Sequence, residues 1–170
     1  MRYHQGIGTE IHQRKEAEEK LRKSEEKYRQ IVETTSEGFL YMDKGLFVVD
    51  VNNAYCRMIS CSREELIGKN LIDMVTKEHR PFLSANRDNL LHRKGFEFES
   101  DLVASTGSTV PVLIHGNTLY DDEGNIIGNM AFVTNMTEQK KSLTLASEVQ
   151  KSLLPQSNVH VYGLDIAGRT

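Results

Sequence analysis

Strand-like stretches lie on both sides of a helical middle segment, and this separation limits the folds that the chain can adopt. Residues 38–42 and 46–51 are rich in aromatic and β-branched side chains and flank the turn residues 43–45, a pattern typical of an antiparallel hairpin. Three further strands are predicted at 96–105, 109–120 and 126–135. Strands that are separated from helices along the chain predict an α+β fold on a five-stranded antiparallel sheet.

Short helices are predicted between the second and third strands. Asn52 and Asn53 are suitable N-caps for a helix over 54–59. Residues 62–65 read Ser-Arg-Glu-Glu, a capping box that begins another helix, and a longer helix is predicted over 77–93. These helices can cover only one face of the sheet, so the other face needs the N-terminal helix or a second chain as its cover.

Charged helices are predicted on both flanks of this domain. The N-terminal helix, over 9–35, has a heptad-like seam, and two interpretations stay open: a solvated helix lying on its own domain, or a parallel coiled coil between two chains. The C-terminal helix, over 137–154, has a weaker seam. The first seam consists of Arg14, Ala17, Leu21, Ser24, Tyr28 and Ile31, and the second of Met136, Leu143, Ala146, Gln150 and Leu153.

Charge and hydropathy give no indication of a nucleic-acid partner, a membrane span or a signal peptide. A net charge of −3 gives no support for a nucleic-acid partner, which would favour a basic surface. No apolar run approaches the roughly 18 residues of a membrane span, and the N-terminus lacks the apolar core of a signal peptide. Cys56 and Cys61 match no metal or redox spacing and are interpreted as packing residues in a reducing compartment. The expected location is therefore the cytoplasm.

The sequence shows no catalytic constellation. It has no glycine-rich phosphate loop and no serine in a nucleophile-elbow context, and its six histidines have no metal-ligand spacing. We therefore expect that this chain is not an enzyme and holds no metal.

Several segments, in the right order, resemble a PAS domain of the S-box type common in bacterial sensors. They are residues 24–31, 51–56, 62–69 and 128–140, and the resemblance covers about residues 24–140. Residues 135–140 read Asn-Met-Thr-Glu-Gln-Lys where the family has Asp-Ile-Thr-Glu-Arg-Lys, so Asn135 replaces the family's aspartate. The resemblance implies a PAS fold with short helices on one face of its sheet.

Two further resemblances lie outside that domain. Residues 6–15 resemble the closing strand of a preceding PAS domain, and residues 9–15 are a weaker copy of the junction at 134–140. Residues 145–155 and 162–167 are similar to the first helix and strand of PPM-type serine phosphatases of the sporulation and anti-sigma-regulator class. The implied division is 1–15 as the tail of the preceding module, 16–35 as linker helix, 36–137 as PAS domain, 138–155 as signalling helix and 156–170 as the start of an output domain.

The resemblance also implies a pocket between the sheet and the long central helix. The photosensor subclass that binds flavin has a cysteine where this chain has Leu71, and the haem subclass has a histidine near Leu83 or Ser84, so neither cofactor is expected. A small metabolite, or a side-chain-filled core, remains. His115 follows Ile114 and should face away from the pocket. The candidate lining residues are Tyr55, Leu83, Asn86, Phe98, Ile114, Met130 and Phe132.

The function implied is that of a sensory PAS module in a longer bacterial signalling protein. Such a module binds a small ligand or partner, forms a homodimer through its flanking helices and passes the signal to an output domain. Asn135, Thr137 and Glu138 are expected to transmit the signal into the C-terminal helix. Two alternatives remain: a ligand-free PAS dimerisation spacer, or a fragment of a phosphatase or histidine kinase whose catalytic part is missing.

Overall fold

The computed structural model describes residues 4–85 and 95–153, with side chains from residue 6. The chain divides into two compact units, and the boundary along the sequence falls between Thr137 and Glu138. The elements of the first unit are α1 (His4–Thr34), β1 (Gly38–Asp43), β2 (Val48–Val51), α2 (Asn53–Ile59), α3 (Arg63–Leu66), α4 (Leu71–Met74), α5 (Arg80–Ala85), β3 (Phe96–Val103), β4 (Thr109–Tyr120) and β5 (Ile126–Asn135). One last helix, α6 (Thr137–Leu153), begins at the last residue of the first unit, and its remainder is the described part of the second unit.

The five strands form one antiparallel sheet in the order β2-β1-β5-β4-β3. The last strand therefore lies in the centre, between the first hairpin and the β3–β4 hairpin. The predicted α+β fold class and the five strands are confirmed. The first hairpin differs slightly from the prediction, since β2 begins at Val48 and Leu46 adopts a positive φ of 66° in the turn.

One face of the sheet packs against the short helices and forms the hydrophobic core. Leu40 and Met42 of β1 point to this face, and Ala131 and Val133 lie beside β1 on β5. The helices contribute Tyr55, Ile59, Leu66, Leu71, Met74 and Leu83. This packing places the buried side chains of α2 opposite the middle of the sheet.

The helix caps expected from the sequence are present. The Asn52 side chain accepts a hydrogen bond from the Tyr55 N–H at the start of α2. Ser62 and Glu65 form both halves of a capping box at α3, and the hydrogen bond from the Ser62 N–H holds the pKa of the Glu65 carboxyl below its usual value. These local contacts need no tertiary partner, which is why the sequence predicts them.

The N-terminal helix is longer than expected. Residues 6–15 were expected to resemble the closing strand of a preceding module, but they are helical here, because α1 is continuous from His4 to Thr34. That residues 1–15 are the tail of such a module stays a prediction. The run of Glu, Lys and Arg pairs after residue 9 favours a helix, as shown by the Arg22 ion pairs with Glu19 and Glu26. The predicted helix over 77–93 begins at Arg80, and its part beyond residue 85 lies outside the described residues.

Candidate functional site

A small cavity lies between the core face of the sheet and the short helices. Its volume is about 10 Å³, which is close to the space that one water molecule needs. It is lined by Leu40, Met42, Leu46, Tyr55, Leu71, Phe96, Phe98, Leu102, Ile114, Asn129, Ala131 and Val133. The lining is almost entirely apolar, so the two polar members, Tyr55 and Asn129, determine what the cavity can recognise.

Three of the predicted lining residues are brought together here. Tyr55, Phe98 and Ile114 line the cavity, as predicted from the resemblance. Leu83 is fully buried in the same hydrophobic core but does not line the cavity. Asn86 lies outside the described residues.

The predicted placement of Met130 and Phe132 in the pocket is wrong. Met130 pairs with Tyr41, and Phe132 pairs with Phe39, on the opposite face of the sheet. Side chains alternate along a strand, so their neighbours Asn129, Ala131 and Val133 face the cavity instead. The prediction favoured the largest apolar side chains, whereas the cavity is lined from β5 by smaller ones.

Two buried polar atoms beside the cavity lack a hydrogen-bond partner among the described residues. They are the Tyr55 hydroxyl and Asn129 Nδ2, and the two residues are 0% and 1% exposed. The Asn129 carbonyl oxygen is satisfied, since Thr118 Oγ1 donates to it at 3.0 Å. Burial raises the pKa of the Tyr55 phenol far above its usual value, so the hydroxyl stays neutral and can donate.

The position of Tyr55 depends on a close approach to β1. A side chain at Gly38 would place its Cβ 2.8 Å from the tyrosine ring and 3.2 Å from the Tyr55 Cα. Glycine therefore lets α2 pack directly on the strand. The sequence reveals Gly38 only as the start of a strand and gives no sign of this contact.

The opposite face of the sheet carries an aromatic cluster and a contact between a histidine and a glutamate. Tyr28 of α1 packs edge-on against Phe39, which also contacts Phe132. His115 lies on this face, as predicted from alternation, and its Nε2 is 2.8 Å from a Glu97 carboxylate oxygen. The N-terminal helix, one of the two covers that the sequence left open, therefore contributes to covering this face of the sheet.

Asn52 joins three elements and was recognised in the sequence only as a helix cap. Its Oδ1 accepts from the Phe39 and Tyr55 N–H groups at 2.8 and 2.9 Å. Its Nδ2 donates to the Val32 and Glu37 carbonyls at 2.8 and 3.0 Å. The end of α1 is thereby fixed to β1 and α2 through a single buried side chain. No local signal could have shown the contact with Val32, because it lies 20 residues away.

Charged groups strengthen the same junction at the surface. Arg63 forms ion pairs with Asp50 and, at 3.9 Å, with Glu33, and it donates to the Val51 carbonyl at 3.1 Å. Glu33 also accepts a hydrogen bond from the Asn53 N–H at 2.9 Å.

The predicted signal-transmission residues lie where β5 ends. Asn135 Oδ1 accepts a hydrogen bond from the Thr137 N–H at 2.9 Å, and so satisfies a donor at the first turn of α6. Thr134 Oγ1 donates to Glu37 Oε1 at 2.6 Å, which links this strand end to the segment before β1. Glu138 pairs with Lys141 within α6 at 3.1 Å. Their role in signalling stays a prediction.

The described ranges hold neither a cluster of metal ligands nor a helix that could span a membrane. No group of three or more His, Cys, Asp or Glu side chains is arranged there to hold a metal ion. The helices of the described part include none whose apolar stretch could reach across a bilayer. His79 bonds to Thr76 Oγ1 at 2.9 Å and does not line the cavity.

The fold is similar to several solved structures. A PAS domain from Colwellia psychrerythraea superposes with a TM-score of 0.62 at 11% identity, covering 66% of this chain and 97% of the other. The PAS domain of an HTR-like protein from Haloarcula marismortui gives 0.62 at 15% identity, covering 71% and 98%. A domain of a sensory box sensor histidine kinase/response regulator from Geobacter sulfurreducens gives 0.58 at 18%, covering 68% and 96%. At these identities the likeness establishes the fold alone.

The family is shown by a separate comparison. A search of curated proteins gave no match. The family model described as PAS fold matches residues 26–136, from the last turns of α1 to the start of α6. Since this match spans well over half of the chain and includes every strand of the sheet, the chain belongs to the PAS fold family.

Proposed function

We propose that this chain is a sensory PAS module that binds a small, uncharged and largely apolar ligand between its sheet and its short helices. The observation that carries the proposal is the pair of buried polar atoms, the Tyr55 hydroxyl and Asn129 Nδ2, beside an otherwise apolar cavity. A buried donor without a partner costs about 1–3 kcal/mol. A ligand that offers an acceptor would recover part of that free energy.

The chemistry of the lining restricts the class of ligand. The remaining residues around the cavity are hydrocarbon or thioether side chains, which would leave a charged ligand without compensation. A neutral molecule with one or two acceptor groups fits the two donors. Because the cavity has room for about one water molecule, binding requires the helices to move away from the sheet. Ligand binding is thereby coupled to a change in the domain.

The direction of signalling follows from the course of the chain. Asn129 lies on β5, and the same strand continues to Asn135 and into Thr137 at the start of α6. A shift of β5 on ligand binding would therefore be felt at the first turn of that helix. We propose this strand as the route to an output domain.

The ligand is tested by native mass spectrometry of protein purified from its source. We expect the wild-type protein to retain a small molecule. Replacing Asn129 by leucine should abolish retention, because the amide donor is lost. Asn53→Ala is the matched control and should leave retention unchanged, since the Asn53 side chain is exposed and does not line the cavity. A wild-type protein that is empty under gentle conditions would contradict the proposal.

The flanking helices support a homodimer. Ile7, Leu21, Tyr28 and Ile31 are exposed on α1 and fit one heptad seam, and α6 exposes Leu145, Val149 and Leu153. We expect light scattering to show a concentration-dependent dimer. Leu21→Asp should raise the dissociation constant at least about tenfold. Gln30→Asp, which is also exposed but points away from the seam, should have little effect. A strict monomer at high concentration would contradict the dimer.

A ligand-free dimerisation spacer is the second candidate function, and the small cavity volume favours it. If the chain is such a spacer, native mass spectrometry should show wild-type protein without a ligand, and light scattering should still show the dimer. The upstream PAS module and a downstream phosphatase or histidine kinase stay predictions. Of the phosphatase-like segments, residues 145–153 lie within α6, and residues 154–155 and 162–167 lie outside the described residues.

A further inference from the structure

The two cysteines occupy the two ends of one helix-terminating motif. α2 ends with Ser60 in the left-handed conformation, at φ 53° and ψ 44°. The Ser60 N–H donates to the Arg57 carbonyl, and the Cys61 N–H donates to the Cys56 carbonyl at 3.1 Å. These two bonds define a Schellman motif, in which side chains at the positions of Cys56 and Cys61 commonly touch. Two cysteines that are five residues apart in the sequence are thereby brought close together.

We propose that Cys56 and Cys61 are a redox modification site, at which an intramolecular disulfide forms and breaks reversibly. Both cysteines are free in this structure, and both pack against the edge of the hydrophobic core. The backbone bond between them fixes their separation, and a disulfide needs such a close and constrained pair. Disulfides of this kind in reducing compartments are usually transient and serve as sensors.

Cys61 is the thiol that a reagent can reach. It lines a surface groove of about 320 Å³ together with Lys69 and Asp73. The Lys69 ammonium lies 4.0 Å from its sulfur and favours the thiolate, whereas a Glu65 carboxylate oxygen at 3.5 Å opposes it. Burial is the main cause that raises the pKa of both thiols above the usual range, so exchange will be slow at neutral pH.

The chemistry balances with a low-molecular-weight disulfide as oxidant. The Cys61 thiolate attacks one sulfur of oxidised glutathione, and the first glutathione thiolate leaves with the proton from Cys61. The Cys56 thiolate then attacks the Cys61 sulfur of this mixed disulfide. The second glutathione leaves with the proton from Cys56. Two protein thiols are oxidised, and one glutathione disulfide is reduced to two thiols.

The site lies beside the candidate ligand pocket. Cys56 directly follows Tyr55 on α2. The turn that the disulfide would close is bound to the β3–β4 hairpin, since the Ser105 N–H donates to the Ile59 carbonyl at 2.9 Å and its hydroxyl donates to the Ser60 carbonyl. Oxidation would therefore stiffen the joint between α2 and this hairpin. The redox site does not depend on whether the pocket holds a ligand.

The test uses the full chain with excess oxidised glutathione at mildly alkaline pH, followed by intact-protein and non-reducing peptide mass spectrometry. We expect the wild-type protein to lose the mass of two hydrogens, to show no free thiols and to yield a peptide linked between Cys56 and Cys61. Dithiothreitol should restore both thiols. Cys56→Ser should instead keep one glutathione on Cys61, because the resolving thiol is missing.

Cys61→Ser is the matched control and should acquire glutathione much more slowly, because Cys56 lies outside the groove. Circular dichroism establishes that each variant is folded. A wild-type monomer that keeps one or two glutathione adducts, retains both thiols after prolonged exposure, or forms only disulfides between chains would overturn the proposal.

Discussion

Replacing Asn52 by alanine is expected to lower the free energy of unfolding by about 4 kcal/mol. Asn52 is 0% exposed, and its side chain makes four hydrogen bonds, all to main-chain atoms. Urea denaturation monitored by circular dichroism measures the change, provided that the slope with denaturant is the same in both proteins.

The size of the effect follows from the groups that lose their partner. Alanine would leave the N–H groups of Phe39 and Tyr55 and the carbonyls of Val32 and Glu37 without the amide. Each buried group that stays unsatisfied costs about 1–3 kcal/mol, and the loss is reduced where water enters the space that the side chain vacates. A value near 4 kcal/mol thus assumes that some of the four are rehydrated.

Two controls separate this network from ordinary capping. Asn53→Ala, at the exposed neighbouring position, should change stability by less than about 0.5 kcal/mol. Asn52→Asp should be at least as destabilising as Asn52→Ala at neutral pH, because a carboxylate keeps both acceptor bonds but places a buried negative oxygen against the Val32 and Glu37 carbonyls. If Asn52→Ala costs no more than loss of an N-cap, about 1 kcal/mol, the buried network does not hold α1 to the sheet.

The features of the fold that follow from neighbouring residues were predictable from the sequence. The capping box at 62–65 and the α2 cap depend on residues three apart, and the five strands follow from alternation and turn residues. The long N-terminal helix follows from charge pairs one turn apart. Residues 6–15, which overlap this predicted helix, were nevertheless compared with a closing strand on the basis of a short resemblance.

The candidate site was only partly predictable, because it depends on which set of alternate residues in a strand faces the core. On β5 both sets of alternate residues include apolar side chains. The larger side chains, Met130 and Phe132, were therefore chosen over Ala131 and Val133. The pairing of Phe132 with Phe39, in distant parts of the sequence, decides the question. Asn129 was missed for the related reason that a polar residue gives no sign of burial.

Replacing Tyr55 by phenylalanine is expected to raise the free energy of unfolding of the ligand-free domain by about 1–2 kcal/mol. The hydroxyl is fully buried and has no hydrogen-bond partner among the described residues, so its removal relieves a desolvation cost without opening a large cavity. Most substitutions of a buried residue destabilise, which makes the sign of this prediction distinctive. Thermal and urea unfolding of ligand-free protein measure it.

The same substitution should have the opposite effect when the proposed ligand is bound. A ligand that accepts from the tyrosine hydroxyl stabilises the wild-type domain more than the variant, so the order of stabilities should reverse as ligand is added. Tyr120→Phe is the matched control, because Tyr120 is 40% exposed. This substitution should leave the free energy of unfolding nearly unchanged, both with and without ligand. If Tyr55→Phe destabilises the ligand-free domain, the hydroxyl already has a partner there, and the argument for a ligand based on its unsatisfied donor fails.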